Sequence, residues 1–371
     1  MQKNNLYKKE TSCFSSSLII LRLRGLTQSQ ALAAIRHYGT AMAALTDSQS
    51  IDSHWAAILR DAIGIQEARE CALREMEFCQ EHRIEVVPYS SDKYPLRLRQ
   101  VKDAPIVLFY RGTTALNHTH SISIVGTRHI TEYGKQMCNS LIKDLREMLP
   151  NSLIVSGLAY GVDIHTHRAC LKYGIDTVGV LAHGLDRIYP RRHEKEAREM
   201  LSHGGLLTEY FTGTNPDKGN FVRRNRIVAG MTAATLVVES AAHGGSLITT
   251  AIASSLGREV MAVPGRITDE YSAGCNHLIS QKKASIITSA ADILHIMGWE
   301  SAPVQGEVSL FPTFSPEQER ILAMLSKKDA ITMDGIANQL GTTSARVANL
   351  LFDLEDAELV VRMPGNFVRK A

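Results

Sequence analysis

Between residues 121 and 290, short apolar runs rich in β-branched residues alternate with segments of helical length and spacing. Parallel strands need long crossover connections, usually helices, so this alternation predicts βαβ units. We therefore expect an α/β fold, a Rossmann-like, doubly wound and mostly parallel sheet. The predicted strands are Ser121–Val125, Leu153–Val155, Thr177–Leu181, Gly205–Leu207, Thr235–Val238, Val260–Val263 and Ser285–Ile287.

The segment before this region has a helical pattern. Residues 1–82 are predicted to form an N-terminal helical domain, with apolar residues at helical spacing before Gly39 and a longer helix from about Gln66 to Glu81. The stretch Leu23–Leu26 resembles the hairpin of a helix-hairpin-helix DNA contact, although a helix cap in an interaction domain is the favoured interpretation. Residues 83–300 are predicted to form an extended Rossmann-like domain, whose first part holds short strands and turns.

The C-terminal part is predicted to be a separate small domain. Residues 301–313 have the composition of a linker. In 314–371, Ser315 and Pro316 are typical of a helix start, two helices follow near Met333–Leu340 and Ser344–Ala357, and a hairpin turns at residues 364–366. Three helices and a hairpin indicate a winged helix.

Overall composition restricts the classes of function only weakly. The 371 residues carry a net charge of +3, so a nucleic-acid interface must come from local clusters of basic residues. The six cysteines include no C-x-x-C pair, so neither a zinc site nor a disulfide framework is indicated. The apolar run Leu18–Leu21 is too short for a signal segment or a membrane span. We expect a cytoplasmic protein without a membrane partner.

Unusual residues follow several of the predicted strands. In an open parallel sheet, the ligand crevice lies at the carboxyl ends of the strands. Glycines there allow close backbone approach, and amides at a helix N-terminus bind anions. Several such loops on one edge predict a groove for a polyanion. The residues placed there are Gly126, Thr127 and Arg128 after the first strand, Ser156, Gly157 and Gly161 after the second, and Gly244, Gly245 and Ser246 after the fifth.

The segment between the fourth and fifth strands mixes cations with an aromatic residue. This mixture suits single-stranded nucleic acid, because cations hold phosphates and an aromatic ring stacks on a base. The alternative is internal pairing of the arginines with carboxylates such as Glu209, Glu239 or Asp163. We expect both, with some arginines structural and others facing the groove. The predicted DNA-binding residues here are Lys218, Phe221, Arg223, Arg224, Asn225 and Arg226.

Together these motifs resemble the DNA-processing protein A (DprA/Smf) family over nearly the whole chain. The N-terminal helices resemble the SAM-like module of that family and the C-terminus resembles its winged helix. The motifs, in the family's order, are Ile124–Arg128, Val155–Asp163, Tyr189–Pro190, Phe221–Ile227, Gly245–Thr249 and Val263–Gly265.

The resemblance implies a protein of natural transformation that binds incoming single-stranded DNA, protects it from nucleases and helps to load the RecA recombinase. It implies a homodimer formed through the Rossmann-like domain, and no cofactor. By motif, Arg128 and Lys218 would each hold a phosphate, and Phe221 would stack on a base. The loops Gly157–Gly161 and Gly244–Ser246 would offer backbone amides. Exposed apolar residues late in the domain are candidates for the dimer surface: Leu278, Ile279 and Ile293.

Enzymes with a related fold are the main alternative function. A nucleotide phosphoribohydrolase of Rossmann type resembles this chain in its Gly-Gly turn, but its pattern continues to a catalytic glutamate. Here Ala251 stands at that place. An NAD-type oxidoreductase needs G-x-G-x-x-G after the first strand, where only Gly126 is present. We therefore predict a binding protein and not an enzyme.

Three further alternatives remain open from the residues alone. Asp163, His165 and His167 could gather a metal ion at a helix start, although Asp163 capping the helix with His167 packed beneath it is favoured, so we predict no metal. A second alternative is Ser246 as a nucleophile with His243 as its base, but no clear third group is present to orient the base. The third alternative is a structural scaffold that binds no nucleic acid, which would require that all arginines of the cluster pair within the protein.

The predicted winged helix carries seven basic and eight acidic residues, a net charge of −1. A helix that enters the DNA major groove is normally basic. We therefore expect that this domain is not a strong duplex binder by itself. It could contact protein, or add modestly to DNA binding through Arg362, Arg369 and Lys370.

Overall fold

The computed structural model describes residues 15–46, 57–59, 61–301, 314–326, 330–356, 359–363 and 365–371. It forms two compact units, Met1–Pro303 and Val304–Ala371. Most of the predicted linker, residues 302–313, lies outside the described part. Within the described residues, no helix combines the length and apolar character needed to cross a membrane.

A nine-stranded sheet organises the first unit, in the order β1-β2-β6-β5-β4-β3-β7-β8-β9. Strands β3 to β9 run parallel to their neighbours, and β1 and β2 add an antiparallel edge beside β6. The strands are β1 Glu85–Pro88, β2 Val107–Gly112, β3 Ser121–Val125, β4 Leu153–Ser156, β5 Asp176–Val180, β6 Gly204–Thr208, β7 Ala234–Val237, β8 Glu259–Ala262 and β9 Ser285–Ile286. The predicted Rossmann-like sheet is confirmed.

The helices of this unit precede, connect and follow the strands. They are α1 Gln28–Tyr38, α2 Ala41–Thr46, α3 Ala62–Glu81, α4 Leu96–Arg99, α5 Glu132–Met148, α6 Val162–Tyr173, α7 Glu194–Met200, α8 Lys218–Gly230, α9 Ser246–Ser255, α10 Ala273–Ser280 and α11 Ala290–Met297. Residues 15–20 are also helical.

Both faces of the sheet are covered, because successive strand residues point to opposite sides and are apolar on each. On one face, Ile122 and Ile154 pack in a cluster with residues of α5, α6 and α11. On the other face, Val155 and Val178 share a cluster with residues of α8 and α10. The strand order changes direction at β3 and β7, which creates the crevice at their carboxyl ends.

The N-terminal helices pack directly onto the edge of the sheet. Residues of α1 and α3 belong to the same hydrophobic cluster as β1 and β2. The buried carboxylate of Glu75 in α3 accepts hydrogen bonds from the Thr212 amide and hydroxyl. The predicted boundary between residues 82 and 83 stays a prediction, since one continuous core spans it.

The second unit contains α12 Pro316–Leu325, β10 Ile331–Thr332, α13 Met333–Leu340, α14 Ser344–Asp356, β11 Val360–Met363 and β12 Phe367–Lys370. Its sheet order is β10-β12-β11. Ser315 caps α12 and Pro316 opens it, as the sequence predicts. Three helices with a hairpin confirm the winged-helix prediction.

Candidate nucleic-acid interface

A cavity of about 340 Å³ lies at the carboxyl ends of β3 and β7. Its walls come from the loop after β3, the loop after β4, one side of α8 and the loop that opens α9. Among the predicted site residues, it is lined by Gly126, Thr127, Arg128, Phe221, Arg224, Asn225, Gly244, Gly245 and Ser246. The topology therefore brings together loops that are far apart in the chain.

The loop that carries Arg128 is held from two sides. The Thr127 amide donates to the Glu239 carbonyl at 2.7 Å. Gly161 has φ +77°, and a Cβ added there would lie 2.0 Å from the Thr127 carbonyl oxygen, so only glycine allows this close approach. Gly161 is buried and positions the loop. Arg128 itself is exposed and forms no ion pair within the described residues.

Arg128 belongs to a small cluster with two aromatic rings. Its guanidinium carbon lies 5.5 Å from the centre of the Phe221 ring, within the range of a cation–π contact. The Tyr189 ring lies 5.8 Å from the Phe221 ring, with the two ring planes tilted by 50°. Phe221 is half-buried, and Tyr189 is 47% exposed. We name Arg128, Phe221 and Tyr189 the stacking platform.

Tyr189 was not among the predicted binding residues. The available signal was the Tyr189–Pro190 pair, which follows the third predicted strand and belongs to the family-like motifs. Its pairing with Phe221 depends on the approach of a loop to a helix 32 residues further along the chain, which no local pattern shows.

Helix α8 distributes the predicted basic cluster around its axis. Asp217 caps the helix by accepting from the Asn220 amide. Lys218 is exposed in the first turn, and Arg223 is exposed two residues beyond Phe221. Because residues three and four apart share a helix face, Arg224 and Asn225 lie on the crevice side with Phe221, and Arg223 does not.

Arg224 is a structural residue. Its side chain is only 4% exposed, and Nη1 donates to the Val180 carbonyl at 2.7 Å. A Cβ on Gly157 would lie 1.9 Å from the same Nη1, so Gly157 leaves room for this guanidinium. Burial lowers the pKa of Arg224, and the nearby Asp163 charge opposes that effect. A direct DNA contact by Arg224 is not supported by this geometry.

Arg226 is also structural. Its guanidinium makes a bidentate pair with Glu209, with Nη1–Oε1 at 2.9 Å and Nη2–Oε2 at 2.7 Å. Its Nε donates to Asp103 at 2.9 Å. The side chains of Arg226 and Glu209 are 7% and 6% exposed. Part of the arginine cluster is therefore structural, as expected, and Arg226 belongs to that part; the exposed Arg223 does not line the crevice.

In the loop after β4, two of the amides that the sequence predicts as donors to DNA are already engaged. The amides of Gly157 and Ala159 donate to Asp163 Oδ2 at 3.1 and 3.3 Å. The hydroxyl of the buried Ser156 donates to the Ile124 carbonyl at 2.6 Å. The N-cap of α6 is Gly161, so the expectation that Asp163 caps this helix is wrong. Burial raises the pKa of the Asp163 carboxyl.

The loop before α9 fits an anion better. The Gly244 amide donates to the Ala241 carbonyl at 3.1 Å, whereas the amides of Gly245 and Ser246 have no acceptor within the part of the chain that is described. They lie at the start of α9, where the helix dipole favours a negative charge. The Ser246 hydroxyl donates to Ser240 Oγ at 2.8 Å, not to the exposed His243. Ser246 and His243 therefore form no nucleophile–base pair.

Glu239, which follows β7, is a buried carboxylate that contacts the crevice loops. It is 2% exposed and accepts from the Thr131 amide at 2.9 Å and from the Thr131 hydroxyl. These contacts tie the start of α5 to the end of β7. Among the described residues, no group of three His, Cys, Asp or Glu side chains could hold a metal ion.

His167 lies fully buried beneath the crevice. Its Nδ1 is 2.7 Å from Thr177 Oγ1, and that hydroxyl donates to the Ile154 carbonyl. The imidazole therefore donates from Nδ1, while Nε2 has no partner within the described residues. Burial is the main reason that the pKa of His167 is lowered from 6.5 to about 3, and the charges of His193 and Arg224 add to it.

This lowered pKa predicts acid sensitivity. Below pH 6.5 the unfolded chain binds a proton at His167 that the folded chain does not. The contribution of the neutral His167 to the free energy of unfolding is complete above that pH. We expect it to fall by up to about 1.4 kcal/mol per pH unit towards pH 3. Urea unfolding of the wild type and of His167→Gln at several pH values measures this. If the free energy of unfolding changes equally with pH in the two proteins, the lowered pKa of His167 is contradicted.

The residues proposed from sequence for the dimer surface are mostly internal. Ile293 is fully buried and Leu278 is 8% exposed, since both pack onto the sheet. The expectation that they are exposed is wrong. Ile279 is partly buried against the same core.

In the winged helix, two arginines are already paired. Arg346 on α14 lies 3.0 Å from Glu317, and Arg362 lies 3.1 Å from Glu355. Arg369 and Lys370 are exposed on β12.

Comparison with protein families identifies both units. Residues 85–298 match the family model of DNA recombination-mediator protein A, and residues 308–366 match the DprA winged helix domain. The DNA processing protein DprA of Bacillus subtilis is 44% identical over 214 residues, which are 57% of this chain and 71% of the relative.

Solved structures give the same result. The DNA processing protein A of Streptococcus pneumoniae superposes with a TM-score of 0.65 at 31% identity, covering 76% of this chain and 97% of the other. The protein from Helicobacter pylori, described for its unique single-stranded DNA binding mode, has a TM-score of 0.52 at 27% identity, covering 58% and 95%. The chain therefore belongs to the DNA-processing protein A (DprA/Smf) family.

Proposed function

We propose that this protein binds single-stranded DNA along the carboxyl edge of its parallel sheet, as a DNA-processing protein of natural transformation. The observation that carries the proposal is the stacking platform, where Arg128 and Tyr189 both lie next to Phe221. An exposed aromatic surface beside free cations suits unpaired bases and their phosphates. The Helicobacter pylori relative is described for its single-stranded DNA binding mode, which supports single-stranded DNA as the ligand.

Within this proposal, each exposed group has a separate role. Arg128 and Lys218 hold phosphates, the Phe221 and Tyr189 rings stack on bases, and the amides of Gly245 and Ser246 bind a further phosphate. Phosphate and stacking contacts do not distinguish bases, so binding is independent of sequence. The buried Arg224 and Arg226 support the site from below and do not contact the strand.

The same geometry argues for a binding protein rather than a nucleotide-processing enzyme. The carboxylate of Glu239 is engaged by Thr131, and the Ser246 hydroxyl is engaged by Ser240. Neither group is free to serve as a base or a nucleophile in the crevice. From the family resemblance, we also propose homodimerisation through the Rossmann-like domain and loading of RecA onto the bound strand.

Fluorescence anisotropy with oligo-dT and with a duplex of equal length tests the proposal. We expect salt-dependent binding that prefers the single strand. Phe221→Ala should weaken it by about 5- to 150-fold, the equivalent of about 1–3 kcal/mol for one stacked base. Phe221→Tyr keeps the ring and should retain most of the affinity.

The matched control is Phe352→Ala, which removes an exposed phenylalanine from the winged helix. It should leave the affinity unchanged. Preference for duplex, or equal losses in Phe221→Ala and Phe352→Ala, would argue against the proposed site.

A further inference from the structure

A second concave surface lies on the opposite side of α8 from the crevice. It is a cavity of about 250 Å³ between the N-terminal helical region and the antiparallel edge of the sheet. We name it the edge groove. The lining residues that matter here are Arg22, Gln28, Glu209, Tyr210, Phe211 and Arg223.

The edge groove contains two arginines without a carboxylate partner. Neither Arg22 nor Arg223 makes an ion pair within the described residues, and both are exposed. The acidic side chain in the groove, Glu209, is held by its bidentate pair with Arg226, which also pairs with Asp103. Arg22 and Arg223 are therefore the basic side chains of the groove that are available to an anion.

The position of Arg22 leaves its hydrogen-bond donors available. Its guanidinium carbon lies 3.9 Å from the centre of the Phe211 ring. Stacking uses the face of a guanidinium, while its five N–H donors point outward in the plane, where they match the oxygens of a phosphate. Arg24, two residues away, is instead paired with Glu67 at 2.6 Å.

The groove is fixed in place before any ligand arrives. Both carboxylate oxygens of Glu75 accept from the Thr212 amide, at 3.0 and 3.1 Å. This contact ties α3 to the residue that follows Phe211. Gln28 at the start of α1 donates to Glu209 at 3.2 Å. A preformed site loses less entropy on binding.

The edge groove connects with the stacking platform through the first turn of α8. Tyr210 in the groove wall donates to the Asn220 carbonyl at 3.4 Å, and Asn220 donates to the Asn215 carbonyl at 3.2 Å. Arg187, close in sequence to Tyr189, donates to Asn215 Oδ1 at 2.7 Å. These hydrogen bonds join the groove wall to the turn of α8 that also carries Lys218 and Phe221.

We propose that Arg22 and Arg223 form a second phosphate-binding site for the same single strand, so that the N-terminal helical region contributes directly to DNA binding. This inference rests on the proposed function and extends its site. It predicts that the edge groove is used only by strands long enough to reach beyond the platform.

The test compares oligo-dT of about six and about sixteen nucleotides, within the range of single-strand site sizes. The double variant Arg22→Gln/Arg223→Gln should bind the longer strand about 10-fold more weakly at low salt. The slope of log K against log salt should fall by about 1.4, from two lost phosphate contacts. Affinity for the shorter strand should change less than about 2-fold, because that strand is filled by the platform.

Arg24→Gln is the matched control, since it removes a positive charge from the same loop at a residue that is already paired. The inference is overturned if the double variant binds the longer strand as tightly as the wild type does, or if its affinity falls equally for both lengths. It is also overturned if Arg24→Gln weakens binding as much as Arg22→Gln or Arg223→Gln does. If the wild type binds neither strand, the proposed function is overturned together with the inference. If a platform variant loses affinity as expected but Arg22→Gln/Arg223→Gln loses none, the inference is overturned and the proposed function stands.

Discussion

Replacing Arg128 and Lys218 together by alanine is expected to reduce the affinity for oligo-dT by at least about 100-fold. Each substitution removes a charge-assisted contact to a phosphate, worth about 1.5–3 kcal/mol. Both residues are exposed, Arg128 in the crevice wall and Lys218 in the first turn of α8, so the losses should add with little change in stability. The salt dependence should also weaken, by about 1.4 in slope for two phosphates. Anisotropy across a salt series measures both quantities.

The control for this result is Lys195→Ala/Arg198→Ala on α7, which removes the same charge. Those side chains are exposed and lie 3.9 and 2.6 Å from Glu199 and Glu194. The control should retain nearly full affinity. If the two double variants lose affinity equally, binding reflects overall charge and the stacking platform is not the site. If neither loses it, the strand binds elsewhere.

Replacing Arg226 by glutamine is expected to lower the free energy of unfolding by about 3–5 kcal/mol. The substitution leaves the Glu209 carboxylate buried without its bidentate partner, and an uncompensated buried charge is strongly destabilising. Urea denaturation at neutral pH measures the change. In the folded protein, affinity for oligo-dT should change little, because Arg226 faces away from the crevice.

Arg223→Gln provides the comparison, since it removes an exposed charge three residues earlier in the same helix. Its unfolding free energy should stay within about 0.5 kcal/mol of the wild type, as for most surface substitutions. Adding Glu209→Gln to Arg226→Gln should recover part of the loss by removing the unpaired charge. Equal stability of Arg226→Gln and Arg223→Gln would mean that Arg226 is not the structural member of the cluster.

Much of the architecture follows from local patterns in the chain. The predicted parallel strands lie within a residue or two of those observed, because an apolar run flanked by helix-length segments has few other ways to be buried. Ser315 and Pro316 mark the start of α12 for an equally local reason, a side chain that satisfies free amides of the first turn. The carboxyl-edge position of Arg128 follows from strand direction alone.

The roles of individual side chains depend on contacts between distant segments. The sequence does not distinguish the three arginines near the start of α8. In the structure, Arg223 is exposed, Arg224 lies against Gly157 and Arg226 pairs with Glu209. Helix rotation assigns them to different sides, and only the packed sheet supplies the partners.

The sequence by itself therefore determined the fold class, the crevice edge and the family, since these depend on periodicity, strand direction and ordered motifs. The tertiary structure decided which cations are free, which amides are already bonded and that Tyr189 joins Phe221 and Arg128 in one platform. The physical reason is that availability for a ligand is what remains after internal hydrogen bonds and ion pairs are satisfied. That remainder is set by residues far apart in the chain.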